Sequence, residues 1–226
     1  MKYLSLAVLL ASCAQNSNNL ALLKNSVESI VRLECQMKSG GRMTGSCVPY
    51  KMIKEISIYR IYFLTASHML IESEPINISF YFFEDKKPYL VLDKIKVEKI
   101  HPTSDIAVLS LLSDKPVATI DINCKPIYFG QKIYSVGFPF DLRSVVDEGM
   151  IFRYHEDGLW ICTAAAAPGM SGGAILDEQG KLVGIISSGP IGMIKNNGTN
   201  IPMLISQVLF IVPIWDLRQW MEVLYG

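Results

Sequence analysis

The chain has 226 residues, half of them hydrophobic and 19% charged, with 21 basic residues balanced by 21 acidic ones. That length and apolar content suit one large domain or two halves around a shared cleft, and they exclude a disordered chain. Zero formal net charge with no long run of one sign argues against nucleic acid as a partner and leaves no polybasic or acidic tail.

The first predicted element is the leader MKYLSLAVLLASCAQNSNN, with one lysine, an apolar run from Tyr3 to Ala11, small residues and a polar spacer. That order predicts a secretory signal peptide over residues 1–12, too short to span a membrane. Leu10-Ala11-Ser12-Cys13 resembles the bacterial lipoprotein cleavage box, whose cysteine is lipidated and becomes the first residue. The box implies an anchor at Cys13, a polar spacer over 13–24, and export to the bacterial cell envelope with membrane attachment through the lipid. Export permits disulfides among Cys35, Cys47, Cys124 and Cys162. Cys35 and Cys47 flank KSGGR, a hairpin turn that would let them face each other across two strands, with free buried thiols as the equal alternative. Their spacing is not that of a zinc site.

A short helix is expected over 19–28. Strands follow at 29–35, 45–50, 60–66, 76–83, 89–100 and 105–112, in runs rich in Ile, Val, Tyr and Phe. The stretch 113–130 carries two prolines and no periodicity and is expected to connect two halves, 25–115 and 116–226. A second set of strands is expected at 132–138, 149–155, 159–164, 173–178, 181–187 and 207–214. NNGT at 196–199 matches the N-glycosylation pattern and reads as a polar turn. About six strands per half predict an all-β fold, sandwich or barrel. After Pro213, the spacing of Ile214, Leu217, Met221 and Leu224 predicts a terminal helix of about three turns.

Between two of these strands lies APGMSGGAIL, residues 167–176. A glycine cluster marks a tight turn; it also suits a nucleophile whose neighbouring backbone N–H groups converge on one point. Acyl transfer by serine needs a base near the hydroxyl, a group orienting the base, and donors for the developing oxyanion. All three histidines, His68, His101 and His155, precede Ser171. That excludes the α/β-hydrolase order that Gly169-x-Ser171-x-Gly173 alone would invite, where the histidine follows the serine.

The order His, Asp, Ser remains, carried by FLTASHML with His68, TSDIAVLSL with Asp105 and APGMSGGAIL with Ser171. With KLVGIISSG and GQKIYSVGFP, these stretches resemble the trypsin/chymotrypsin-like serine peptidases, in particular the bacterial DegP-like branch without its PDZ modules, over roughly residues 25–224. The resemblance implies two six-stranded antiparallel β-barrels with the active site between them. It implies hydrolysis of peptide bonds in protein or peptide substrates by a triad of His68, Asp105 and Ser171, with no metal or cofactor. It places the oxyanion hole at the N–H groups of Gly169 and Ser171. Around the side chain before the cut bond it places Ala165 as the floor with Ala166 and Ala167 as its neighbours, and Ser187, Ser188 and Gly189 as the facing wall, an uncharged pocket suited to an apolar residue. His101 reads as loop surface or a backbone contact, and His155 has no assigned role. One departure stands out: Met170 occupies the position before the serine, where the family has Asp or Asn, so the loop must be held by packing. That departure keeps open a catalytically impaired protease-fold binding module; an esterase of the same fold is the third reading.

Overall fold

Several strands of this chain are buried on both faces, which is why their apolar runs are continuous rather than alternating. Successive residues of one strand serve different cores. Ile61 and Phe63 point into the first half while Tyr62 and Leu64 point into a layer shared by both halves. Ile175, Val183 and Ile186 point into the second half while Ala174, Leu176, Leu182 and Ile185 point into that same shared layer.

The computed structural model describes residues 23–222 apart from 82–86, 143, 155–157, 190, 197–198 and 205–206. The leader, Cys13, His155 and the tip of the expected polar turn lie outside the described residues. After a helix at residues 23–29, α1, the first half forms one antiparallel sheet of seven strands. These are β1 (Val31–Met37), β2 (Arg42–Glu55), β3 (Ile58–Thr65), β4 (Ser73–Phe80), β5 (Leu90–Leu92), β6 (Lys96–Ile100) and β7 (Ala107–Ser113), in the spatial order β5-β4-β1-β2-β3-β7-β6. The second half is a closed barrel of β8 (Lys132–Gly137), β9 (Val145–Tyr154), β10 (Trp160–Cys162), β11 (Ala174–Leu176), β12 (Leu182–Ser188) and β15 (Leu209–Pro213). Between β12 and β15, β13 (Ile191–Asn196) and β14 (Thr199–Leu204) pair only with each other among the described residues. A 3₁₀ turn at Trp215–Leu217 leads into α2 (Arg218–Glu222).

The all-β expectation holds, with three differences. The run 89–100 is two strands, not one, because Lys94 takes the left-handed conformation (φ 58) and breaks the extended path. The first half therefore counts seven strands, and among the described residues its edges β5 and β6 do not pair. The hairpin β13–β14 was not expected as strands. Cys35 lies opposite Met43 and Cys47 opposite Val31, so the two cysteines do not face each other across the hairpin. The four described cysteines are free, and burial pushes the thiol of Cys162 up to about 12. No helix among the described residues is long and apolar enough to cross a membrane.

Candidate active site

Strand pairing brings two of the predicted side chains to one point. β3 and β7 are antiparallel neighbours with Thr65 opposite Ala107. His68 follows Thr65 by three residues and Asp105 precedes Ala107 by two, so both emerge at the same end of the pair. Past Thr65 the chain leaves the sheet in a 3₁₀ turn, Ser67–Leu70, that carries His68. Before β7, a tight turn is closed by His101 N–H donating to Ile106 O at 3.0 Å. His101 Nδ1 accepts from the N–H of Ser104 at 2.9 Å, which is the backbone contact expected of it.

Both carboxylate oxygens of Asp105 are hydrogen-bonded within the protein. Its Oδ2 pairs with His68 Nδ1 at 2.7 Å and accepts from Ser187 Oγ at 2.5 Å. Its Oδ1 accepts from the His68 backbone N–H at 2.8 Å and from Ser67 Oγ at 2.9 Å. Burial raises the pKa of this carboxyl, but the bonds from His68 and Ser187 and the nearby imidazole outweigh it and bring the value down to about 2.

Ser171 sits in a loop whose carbonyls are tied down one by one. Pro168 O accepts from Phe140 N–H at 2.7 Å, Gly169 O from Ser46 Oγ at 2.8 Å, Met170 O from Gly173 N–H at 2.9 Å and Ser171 O from Ser46 N–H at 2.8 Å. A planar trans peptide turns its N–H away from its C=O. Holding Pro168 O and Met170 O therefore turns the N–H groups of Gly169 and Ser171 the other way, and among the described residues neither meets an acceptor. Gly169 (φ 97) and Gly172 (φ 81) hold left-handed conformations that favour glycine. A Cβ on Gly169 would collide with Phe138 O, and one on Gly172 with Ser46 O. Met170 is 2% exposed and lies in the core of the second barrel, so packing anchors the residue before the serine. The Ser171 hydroxyl donates to the carbonyl of Ser187 at 3.2 Å, and the Ser187 hydroxyl in turn reaches Asp105.

Beside Ser171 lies a cavity of about 180 Å³ bordered by Ala167, Pro168, Ile186, Ser188, Gly189 and Leu209. Of the six residues expected around such a pocket, Ala167, Ser188 and Gly189 border it. Ala166 is buried in the second-barrel core. Ala165 does not line the cavity; its N–H donates to Asp147 Oδ2 at 2.6 Å. Ser187 is turned toward Asp105. The apolar surface comes instead from Leu209 and Ile186, which β12–β15 pairing sets close together, with Ile186 opposite Ile211 and Ser188 opposite Phe210. No local signal marks Leu209 as a pocket residue. Among the described residues, no group of three or more His, Cys, Asp or Glu side chains is placed to hold a metal ion.

Comparison with known proteins bears on this geometry. A family model described as a trypsin-like peptidase domain matches residues 44–185. The chain is 28% identical over 158 residues to a probable periplasmic serine endoprotease, DegP-like, of Chlamydia trachomatis serovar D, covering 65% of this chain and 30% of that one. It is 28% identical over 162 residues to an HtrA-like serine protease of Staphylococcus haemolyticus, covering 63% of this chain and 24% of the relative. The chain thus spans between about a quarter and a third of the length of these curated relatives. The crystal structure of the serine endoprotease from Yersinia pestis superposes with a TM-score of 0.67 at 19% identity, over 91% of this chain and 66% of that one, a likeness of fold.

The Asp105 contacts carry a stability prediction. A carboxyl lowered from 3.8 to about 2 by folding stabilises the folded chain above the unfolded value and loses that contribution as pH falls through the folded one. Asp105→Asn should therefore be less stable than the parent by on the order of 2 kcal/mol above about pH 4, with the gap closing toward pH 2. Urea unfolding across that window measures it; a gap that stays constant with pH would contradict the ionised carboxylate.

Proposed function

Because the chain belongs to the trypsin-like peptidase domain family, we propose that it is a serine endopeptidase acting through Ser171, His68 and Asp105. The observation that carries the reading is the contact between His68 Nδ1 and Asp105. A carboxylate on Nδ1 fixes the tautomer that leaves Nε2 free as the base. Ser171 Oγ attacks the scissile carbonyl as Nε2 takes its proton, and Asp105 stabilises the imidazolium that forms. The imidazolium gives the proton to the leaving amine, and water then releases the acyl group from Ser171 by the same route. The N–H groups of Gly169 and Ser171 receive the oxyanion, each worth about 3–4 kcal/mol of transition-state stabilisation. The Ser171 bond to Ser187 O is broken in this sequence by rotation of the hydroxyl toward Nε2, since catalytic hydrogen bonds tighten only with substrate in place.

The second reading, an impaired binding module on a protease scaffold, rests on Met170 in place of the family's acid or amide, and one reagent separates the two. A fluorophosphonate should label Ser171 in the folded parent and fail to label Ser171→Ala. Ser171→Ala and His68→Ala should each lower kcat/KM by about 10³-fold or more, chiefly in kcat. A folded parent that takes no label would favour the binding module.

The cavity supports a substrate preference. Leu209, Ile186 and Pro168 offer apolar surface, and an unpaired charge there would be costly to bury. No carboxylate borders the cavity among the described residues, and Asp147 Oδ2 is taken by the Ala165 N–H. Cleavage after aliphatic or medium apolar residues follows, with shallow discrimination among them because each methylene is worth only about 1–3 kcal/mol. A peptide-library profile dominated by Lys, Arg, Asp or Glu at that position would overturn it.

Export and anchoring belong to the same reading. One relative is named as periplasmic, and the leader with Cys13 supports a lipid-anchored envelope protein. Stable attachment takes more than one acyl chain, each buried CH₂ contributing about 0.8 kcal/mol. Cys13→Ser should move the protein from the membrane to the soluble fraction of its compartment. A parent already soluble, with no added mass at Cys13, would make the leader an ordinary signal.

A further inference from the structure

Ser67 sits immediately before His68 and is only 8% exposed. Its 3₁₀ turn has no side-chain cap from Ala66, and the Ser67 hydroxyl does not close the turn either. It reaches across 38 residues to Asp105 Oδ1 at 2.9 Å. We propose that Ser67 is a positioning residue of the site: its hydroxyl fixes the plane of the Asp105 carboxylate and moderates the charge that carboxylate presents to His68, which extends activity toward lower pH. The inference rests on the roles given above to His68 and Asp105.

Each carboxylate oxygen takes two donors. On Oδ2 they are His68 Nδ1 and Ser187 Oγ; on Oδ1 they are the His68 backbone N–H and Ser67 Oγ. The His68 N–H comes with the turn whatever its side chains are. Among the described residues Ser67 is therefore the one side chain that holds Oδ1, while His68 and Ser187 hold Oδ2, and together they resist rotation of the carboxylate about its Cβ–Cγ bond. A donor to an ionised carboxylate also spreads its charge and favours the ionised form. Without Ser67 the carboxylate grips the charged imidazole more tightly and is itself easier to protonate. Both changes withdraw activity from acidic pH.

The other titratable groups around Asp105 do not replace this donor. His68 faces it from the 3₁₀ turn. His101, behind the turn 101–106, has Nδ1 committed to the N–H groups of Thr103 and Ser104. Asp216, from the turn after β15, borders with Asp105 a cavity of about 210 Å³ and brings a like charge.

The test uses the full chain with Ser67→Ala, Ser67→Gly and Ser67→Thr, and a fluorogenic peptide ending its acyl part in an aliphatic residue. Alanine and glycine should each move the acidic limb of kcat/KM upward by about half a pH unit, a loss of about threefold on that limb, with the change in kcat and KM unaltered. Fluorophosphonate labelling should slow in parallel, and threonine, which keeps the hydroxyl, should stay with the parent. An active parent whose acidic limb is matched by folded Ser67→Ala or Ser67→Gly overturns the inference alone, as does a threonine variant that shifts as far as alanine. A folded parent with neither turnover nor labelling overturns the triad reading and this inference with it.

Discussion

A carboxylate set between two halves of a β protein is the constraint around which this site is organised. Taking an ionised carboxylate out of water is costly unless donors replace the water, and Asp105 has four. Three come from the turn after β3, and the fourth, Ser187, comes from β12 in the second barrel. The second half therefore completes the donor set of a charge that the first half carries. Ser187 extends the same chain of contacts, since its carbonyl accepts from the Ser171 hydroxyl.

Docking itself rests on the layer shared by the halves, where Val48, Leu64 and Val108 meet Val136, Ala174, Leu176 and Ile185. Fully burying side chains of this size contributes about 1.5–3 kcal/mol each. Ser46 supplies the direction that apolar contact lacks. From β2 its N–H holds Ser171 O and its hydroxyl holds Gly169 O, while that hydroxyl also accepts from Phe138 N–H. Its own carbonyl accepts from Thr65 Oγ1 at 2.8 Å, at the end of the strand that leads to His68. One buried serine thus ties the strand before the histidine to the loop that carries the nucleophile.

Met170 shows how packing stands in for charge. An acid before the serine would need a partner; a methionine needs only a cavity of the right shape, and the second-barrel core provides it. Its sulfur packs close to Gly137, where a Cβ would lie 2.9 Å away. The loop is fixed from one side by apolar burial and from the other by hydrogen bonds to its carbonyls, which leaves the N–H groups of Gly169 and Ser171 as the open face.

The sequence alone determined the class of fold and the family to which the chain belongs. Dense Ile, Val, Tyr and Phe in short runs specify strands because that preference is local, and His68, Asp105 and Ser171 stand in motifs readable within eight to ten residues. The hairpin β13–β14 also has a local signal, two apolar runs around Asn-Gly, of which the Asn-Gly turn is the more legible part. Tertiary structure decided the rest. Ser67 and Ser187 reach Asp105 across 38 and 82 residues, and no periodicity encodes a hydrogen bond between side chains so far apart in the chain. Leu209, rather than Ala165, supplies apolar surface to the cavity beside Ser171 because the closed barrel sets β15 against β12. Barrel closure is a property of all six strands together, so the identity of the pocket wall exists only once they have closed.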